Sequence, residues 1–290
     1  MDIFLPDIYT SYAGFANLID IHKKINECST GEDLIVNMPN WFAANMCSPL
    51  GAILNLAKDS KRIESVSFGG NNKKVLEVLK KNNFLSHIGC RVKPLPDIYD
   101  SMIIYRQFFR REGLFFKIYI ENDLMRRIPP MSDALNKTFK NSIFEIFENA
   151  VTHSETKTMF VCGQGFYHKQ ILDFSITDIG MGFHKNITSL MDLSLTPVEA
   201  IEWAMQGNNT TRKGKIPGGL GLKAIKEFII LNKGKMQIAS DYGYWELSDG
   251  NVKTRTFLNP FPGSVINIEI NMADECSYNI PEDFKLEDIF

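Results

Sequence analysis

Residues 145–153 carry a carboxylate, Glu145, and an amide, Asn149, four positions apart. On a helix such a pair shares one face and can address one ligand. The amide oxygen is a hard ligand suited to Mg²⁺, and a carboxylate beside it can orient a water. Glu148 lies about 100° round the helix from Asn149 and should face elsewhere. His153, four beyond Asn149, returns to the shared face, where it either touches the ligand or serves as a structural histidine. A second segment, Asp178-Ile-Gly180-Met-Gly182-Phe183, follows directly on the apolar run 171–176. A strand-terminal carboxylate can accept a hydrogen bond from an exocyclic amine such as that of adenine, and glycines let the backbone approach a flat base. A third, Pro217-Gly218-Gly219-Leu220-Gly221-Leu222, is a glycine loop opening a helix. It offers free backbone N–H groups and the positive end of a helix dipole to phosphates. It has neither the Walker pattern nor the Rossmann spacing. Taken singly, each segment reads as readily as a surface pair, an Asp-capped turn or a plain helix start.

These groups need a helix, a strand end and a helix start to hold them. Ser132 can cap a helix that runs from Asp133 to about His153, after Pro129-Pro130 ends the preceding stretch. Strands are expected at 158–162 and 171–177, a helix at 197–205, a polar loop at 207–218 and a helix at 222–231. Further strands fall near 236–240 and 265–270. The first half alternates on a smaller scale. Residues 11–28 form an amphipathic helix, with Phe15, Leu18, Ile19, Ile21 and Ile25 apolar; a strand follows at 34–36 and a helix at 49–57. An alternating strand at 63–68 and a helix at 73–83 complete it. The aromatic and arginine-rich stretch 101–128 has no single period, and its Tyr105, Phe108, Phe109, Phe115 and Phe116 can pack the two halves together. The expected division is an α/β module at 1–98, a connector at 99–130, an α/β domain at 131–273 and an acidic tail at 274–290. The tail is either docked or loose on the surface, or a partner-binding peptide.

In this order and spacing, the three segments resemble the asparagine box and the two glycine boxes of the GHKL superfamily, which includes gyrase, histidine kinase and MutL ATPase domains. The resemblance covers roughly residues 132–272. It implies a two-layer α/β sandwich of the Bergerat type that binds ATP with Mg²⁺. On the resemblance, Glu145 is the water-activating base, Asn149 the Mg²⁺ ligand and Asp178 the adenine reader. Gly180 and Gly182 shape the base pocket, and Gly219, Gly221 and Leu222 hold the phosphates. Ser264, in Phe261-Pro-Gly-Ser-Val, stands where the family more often has threonine at the start of a late strand, completing adenine recognition. Thr210, Thr211 and Arg212 look like part of an ATP lid whose hydroxyls and cations reach the γ-phosphate. Pro217 replaces the first glycine found in many histidine kinases, which puts the hinging of that lid in question.

Over about residues 30–90, Leu34-Ile-Val-Asn-Met, Cys47-Ser48-Pro49-Leu50-Gly51-Ala52-Ile53-Leu54 and Val78-Leu79 with Phe84-Leu85 look like a shortened STAS domain, the fold of bacterial anti-sigma antagonists. Ser48 falls where those antagonists carry a phosphorylatable serine. From the residues alone, Ser48-Pro49 is an ordinary N-cap followed by proline at the first helical position. The expected function is an ATP-gated ATPase switch in a bacterial-type regulatory or defence system. Two rivals stand beside it: a serine/threonine kinase of the anti-sigma type, acting on Ser48 or on a partner, and a non-catalytic ATP-binding interaction module. Histidine autokinase is not expected. His22 lacks the flanking pattern of a phospho-accepting box, and no two-helix hairpin precedes the ATPase-like half.

The whole-chain balance limits the other classes. A net charge of −2 gives no reason to expect nucleic-acid binding. The five cysteines are odd in number and lack metal-ligand spacing, as in a reducing compartment. No secretory pattern opens the sequence and no window approaches a membrane span. A cytoplasmic protein is expected, away from membranes, with a protein partner or a second copy of itself.

Overall fold

The computed structural model describes residues 1–70, 72–153, 156–191, 193–207 and 220–273. The first half runs β1 (Asp2–Phe4), α1 (Tyr12–Glu27), β2 (Glu32–Asn37), α2 (Cys47–Asp59), β3 (Ile63–Gly69), α3 (Lys73–Lys81) and α4 (Phe84–His87). Its strands form a parallel sheet in the order β1-β2-β3. Local chemistry sets the helix starts. Ser11 caps α1 by accepting the Gly14 N–H at 3.2 Å, and Asn72 caps α3 by accepting that of Lys74 at 3.0 Å. The strand β1 lies outside the sequence reading; three residues are too few to show a period.

The second half runs β4 (Met102–Phe109), α5 (Gly113–Tyr119), α6 (Asp133–His153), β5 (Thr158–Phe166), β6 (Ile171–Asp178), α7 (Gly182–Met191), α8 (Pro197–Ala204), α9 (Leu220–Asn232), β7 (Lys235–Ser248) and β8 (Asn251–Asn271). Its five strands pair antiparallel throughout, in the order β4-β5-β6-β8-β7. Ser132 caps α6, accepting the Leu135 N–H at 3.3 Å. Thr196 and Glu199 close a reciprocal capping box around Pro197 at the head of α8. The chain is a mixed α/β protein, and none of the described helices is long and apolar enough to cross a membrane.

The stretch set aside as a connector supplies β4, the edge strand beside β5. Its aromatics divide. Tyr105 joins the first-half core against Phe84, whereas Phe108 and Phe116 join the second core. Phe109 and Phe115 pack neither half and stay exposed. Strands β7 and β8 extend beyond the expected limits as a long hairpin. Asp249 and Gly250 turn it with φ of 50° and 71°, the pair of positive values of a type I′ two-residue hairpin. Residues 251–256 are exposed, so they carry no apolar alternation by which to be recognised.

The period of two along the central strands sends side chains to two different layers. In β6, Leu172, Phe174 and Ile176 pack into the core shared with α6 and α9. Asp173, Ser175 and Thr177, from the same strand, are buried on the opposite face. That face is polar at its centre, and the first half covers it with matching groups. Asn45 donates to Ser175 Oγ at 3.2 Å and to Asn267 Oδ1 at 2.9 Å. The Ser48 hydroxyl donates to the Phe160 carbonyl at 2.8 Å and lies 2.7 Å from Thr177 Oγ1. This corrects the N-cap reading of Ser48: α2 begins at Cys47, so Ser48 lies inside the first turn and is wholly buried. Phosphoryl transfer to Ser48 would require α2 to leave the sheet.

Candidate functional site

The site grows from helix α6. Its buried stripe, including Phe139, Ile143, Ile146 and Ala150, faces the sheet and α9, and Phe139 meets Phe228 ring to ring at 4.9 Å. Glu145 and Asn149 stand half-buried on the flank of that stripe, and Glu148 is exposed, as their angular positions require. Helix α9 opens close against this flank. A Cβ on Gly221 would fall 2.8 Å from Glu145 Oε2 and 3.1 Å from the Ser142 carbonyl, so the approach is tight and any side chain there would displace the Glu145 carboxylate. The Glu145 carboxylate is thereby placed beside the first turn of α9.

The other wall is the end of β6. Asp178 lies directly across from Ser264 in the β6–β8 register. Its Oδ1 accepts the Gly180 N–H at 2.8 Å, a local turn that fixes the carboxylate at the strand end. Gly263 comes so close that a Cβ there would lie 2.1 Å from the Asp178 carbonyl oxygen. Gly182, with φ of 75°, heads α7, and a Cβ on it would meet Ser240 Oγ at 2.8 Å. Ser240 ties the corner together: it accepts the Phe183 N–H at 3.0 Å, donates to the Gly263 carbonyl at 3.0 Å and sits 3.1 Å from Ser264 Oγ. His184 spans from the Leu195 carbonyl at 2.8 Å to Asp241 Oδ2 at 3.3 Å and holds the start of α7 in place.

Between these walls lies a cavity with about 470 Å³ of free space, its mouth included. Asn149, Asp178, Gly182, Leu222 and Ser264, each singled out from the sequence, all line it. No family model matches the chain, and no curated protein matches it. The remaining sequence candidates are placed differently. Glu145 and Gly221 do not line the cavity but meet each other at its edge, and Gly180 serves by fixing Asp178. Thr210, Thr211, Arg212 and Gly219 lie outside the described residues, as do Pro217 and the side chain of His153.

Five lining residues were given no role in the sequence reading: Ile146, Ala150, Phe183, Asn186 and Ile266. Ile146 and Ala150 lie beside Asn149 on the same helix and are buried apolar positions. Phe183 and Asn186 belong to α7, whose signal was available in the helical spacing of Phe183, Ile187, Leu190 and Met191. Asn186 has a further property: its Oδ1 is buried without a hydrogen-bond partner among the described residues. An unmet buried acceptor destabilises by about 1–3 kcal/mol unless something else supplies the donor. Among the described residues no group of three or more His, Cys, Asp or Glu side chains gathers in a way that could hold a metal ion.

Proposed function

We propose that this chain is a Mg-ATP-binding, GHKL-type ATPase that uses its nucleotide as a switch. The supporting observation is that Asn149, Asp178, Gly182, Leu222 and Ser264, chosen from separate segments for nucleotide chemistry, line one cavity. The donor set fits the base. Ile146, Ala150, Phe183 and Ile266 give apolar walls for a flat ring, while Asp178 and Ser264 offer a carboxylate and a hydroxyl from adjoining strands. Asn186 adds an amide close by.

Mg²⁺, when bound with the nucleotide, neutralises phosphate charge, and the Asn149 amide oxygen would hold it. The start of α9 offers backbone N–H groups to the phosphates, with Glu145 beside it to orient a water and receive its proton. Occupancy is felt by the first half because β6 and β8 carry the cavity on one face and the first half on the other. The switch acts on a protein partner or a second copy, in a regulatory or defence setting of bacterial type.

One observation favours a second reading, a binding module without turnover: Glu145 packs on Gly221 rather than lining the cavity. The deciding experiment incubates the protein with Mg²⁺ and γ-phosphate-labelled ATP, and follows bound nucleotide, free phosphate and label on protein. Free phosphate that vanishes in Glu145→Ala supports the ATPase. Retained nucleotide with no free phosphate supports the binding module. Absence of nucleotide binding refutes both, and label on the protein makes the chain a kinase.

A further inference from the structure

Helix α5 is anchored on one side only. Phe116 stacks on Phe147 with centroids 4.7 Å apart, and the Tyr119 hydroxyl donates to the Ile104 carbonyl at 2.7 Å. The outer side presents Leu114, Phe115 and Ile118 at 68%, 62% and 47% exposure, with Phe109 just before the helix at 53%. Leu114 and Phe115 stand four and three positions before Ile118, so the three share a helix face. Scattered exposed apolar side chains are ordinary, but a contiguous group marks an interaction surface.

The charge around this face selects its occupant. Residues 106–118 contain Arg106, Arg110, Arg111 and Lys117 against Glu112, and the exposed Glu148 of α6 adds a second acid beside Gly113. Glu112 is already engaged, accepting the Phe109 N–H at 2.8 Å. The face calls for an acidic segment that also carries apolar side chains.

Residues 274–290 have that chemistry. They hold Asp274, Glu275, Glu282, Asp283, Glu287 and Asp288 against Lys285, interleaved with Ile280, Phe284, Leu286, Ile289 and Phe290. They follow Ala273, just beyond β8, and β4, which leads into α5, is three strand positions from β8. The end of β8 lies level with the start of β4, and α5 follows the far end of β4, so the path combines three strand spacings, about 14 Å, with up to about 25 Å along the strands; 17 extended residues reach about 55–60 Å. We propose that residues 274–290 dock on the exposed face of α5, with their acids against Arg110 and Arg111 and their apolar side chains on Leu114, Phe115 and Ile118.

The test uses the full chain with Phe115→p-benzoylphenylalanine, irradiated and mapped by mass spectrometry. Mixing with ¹⁵N-labelled unmodified chain separates links within a molecule from links to a second copy. The expected product joins position 115 to residues 274–290. Arg110→Glu with Arg111→Glu should cut its yield roughly threefold to tenfold. Glu282→Arg with Asp283→Arg in that background should restore it. Links only to other surfaces of a second copy, no links at all, or a yield indifferent to both charge reversals would each overturn the proposal.

Discussion

Asp173 gives the sharpest quantitative test of how the two halves are joined. It lies in β6 facing the first half, 3% exposed, and its Oδ1 accepts a hydrogen bond from Asn267 Nδ2 at 3.1 Å. Burial first, and the Glu269 charge next, push its carboxyl from the ordinary 3.8 up to about 7, against the Asn267 hydrogen bond and the Lys235 and Lys169 charges. Each pKa unit corresponds to about 1.36 kcal/mol, so the displacement is worth about 4 kcal/mol. The sign follows from proton counting. Between roughly pH 4 and pH 7 the folded chain holds a proton that the unfolded chain has released, so stability falls as pH rises through that window. Asp173→Asn removes the titration while keeping an oxygen for Asn267. Its stability relative to the parent should therefore climb by about 1.4 kcal/mol per pH unit across the window and level off above about pH 7. Urea unfolding followed by tryptophan fluorescence from pH 5 to pH 8 measures the difference, in which titrations common to both proteins cancel. Parallel curves for the two proteins would refute the assignment of a buried, proton-holding Asp173.

Four further outcomes are expected. Asp178→Asn should weaken adenine-nucleotide binding about tenfold to hundredfold in calorimetry, the loss for a hydrogen bond to a charged group, and unchanged affinity would remove Asp178 from the site. Glu145→Ala should bind nucleotide as the parent does while turnover falls about 10²- to 10⁴-fold, and undiminished phosphate release would end its assignment as base. Gly182→Ala places a Cβ at a φ of 75° and against Ser240 Oγ; a loss of about 1–3 kcal/mol in thermal unfolding is expected, with weakened nucleotide binding. Ser48→Ala leaves the Phe160 carbonyl and Thr177 hydroxyl short of a partner. It should destabilise by about 1–3 kcal/mol in urea unfolding without changing phosphate release; a stability equal to the parent's would contradict the buried network.

Much of the second half was legible because its segments announce themselves by period and by capping. Ser132, after Pro129-Pro130, marked the start of α6, and Gly182 and Gly221 stand at helix starts where a side chain would be crowded. Asp178 and Ser264 were both singled out, yet their direct opposition is a matter of strand register, which a linear reading does not contain. Glu145 was expected in the ligand space and stands at its edge, because the tight entry of α9 at Gly221 occupies the room beside it. The role of Ser48 was unreadable for a different reason. Its partners, Phe160 and Thr177, are more than a hundred positions away and reach it only when α2 lies across the sheet.

The nine residues at the heart of the molecule answer to two masters by parity. In β6 and β8 the even-numbered Ile176, Asp178, Ser264 and Ile266 face the helix-side layer, whereas the odd-numbered Asp173, Ser175, Thr177, Val265 and Asn267 serve the seam with the first half. Substitutions at even positions can therefore retune what the cavity accepts while the seam stays intact, and substitutions at odd positions can do the reverse. An inserted or deleted residue has no such freedom. It exchanges the two sets over the length it shifts, turning polar seam residues into the apolar layer and the Asp178 carboxylate toward the seam. A lineage of such chains can drift in ligand preference by point changes, but β6 and β8 must keep their length.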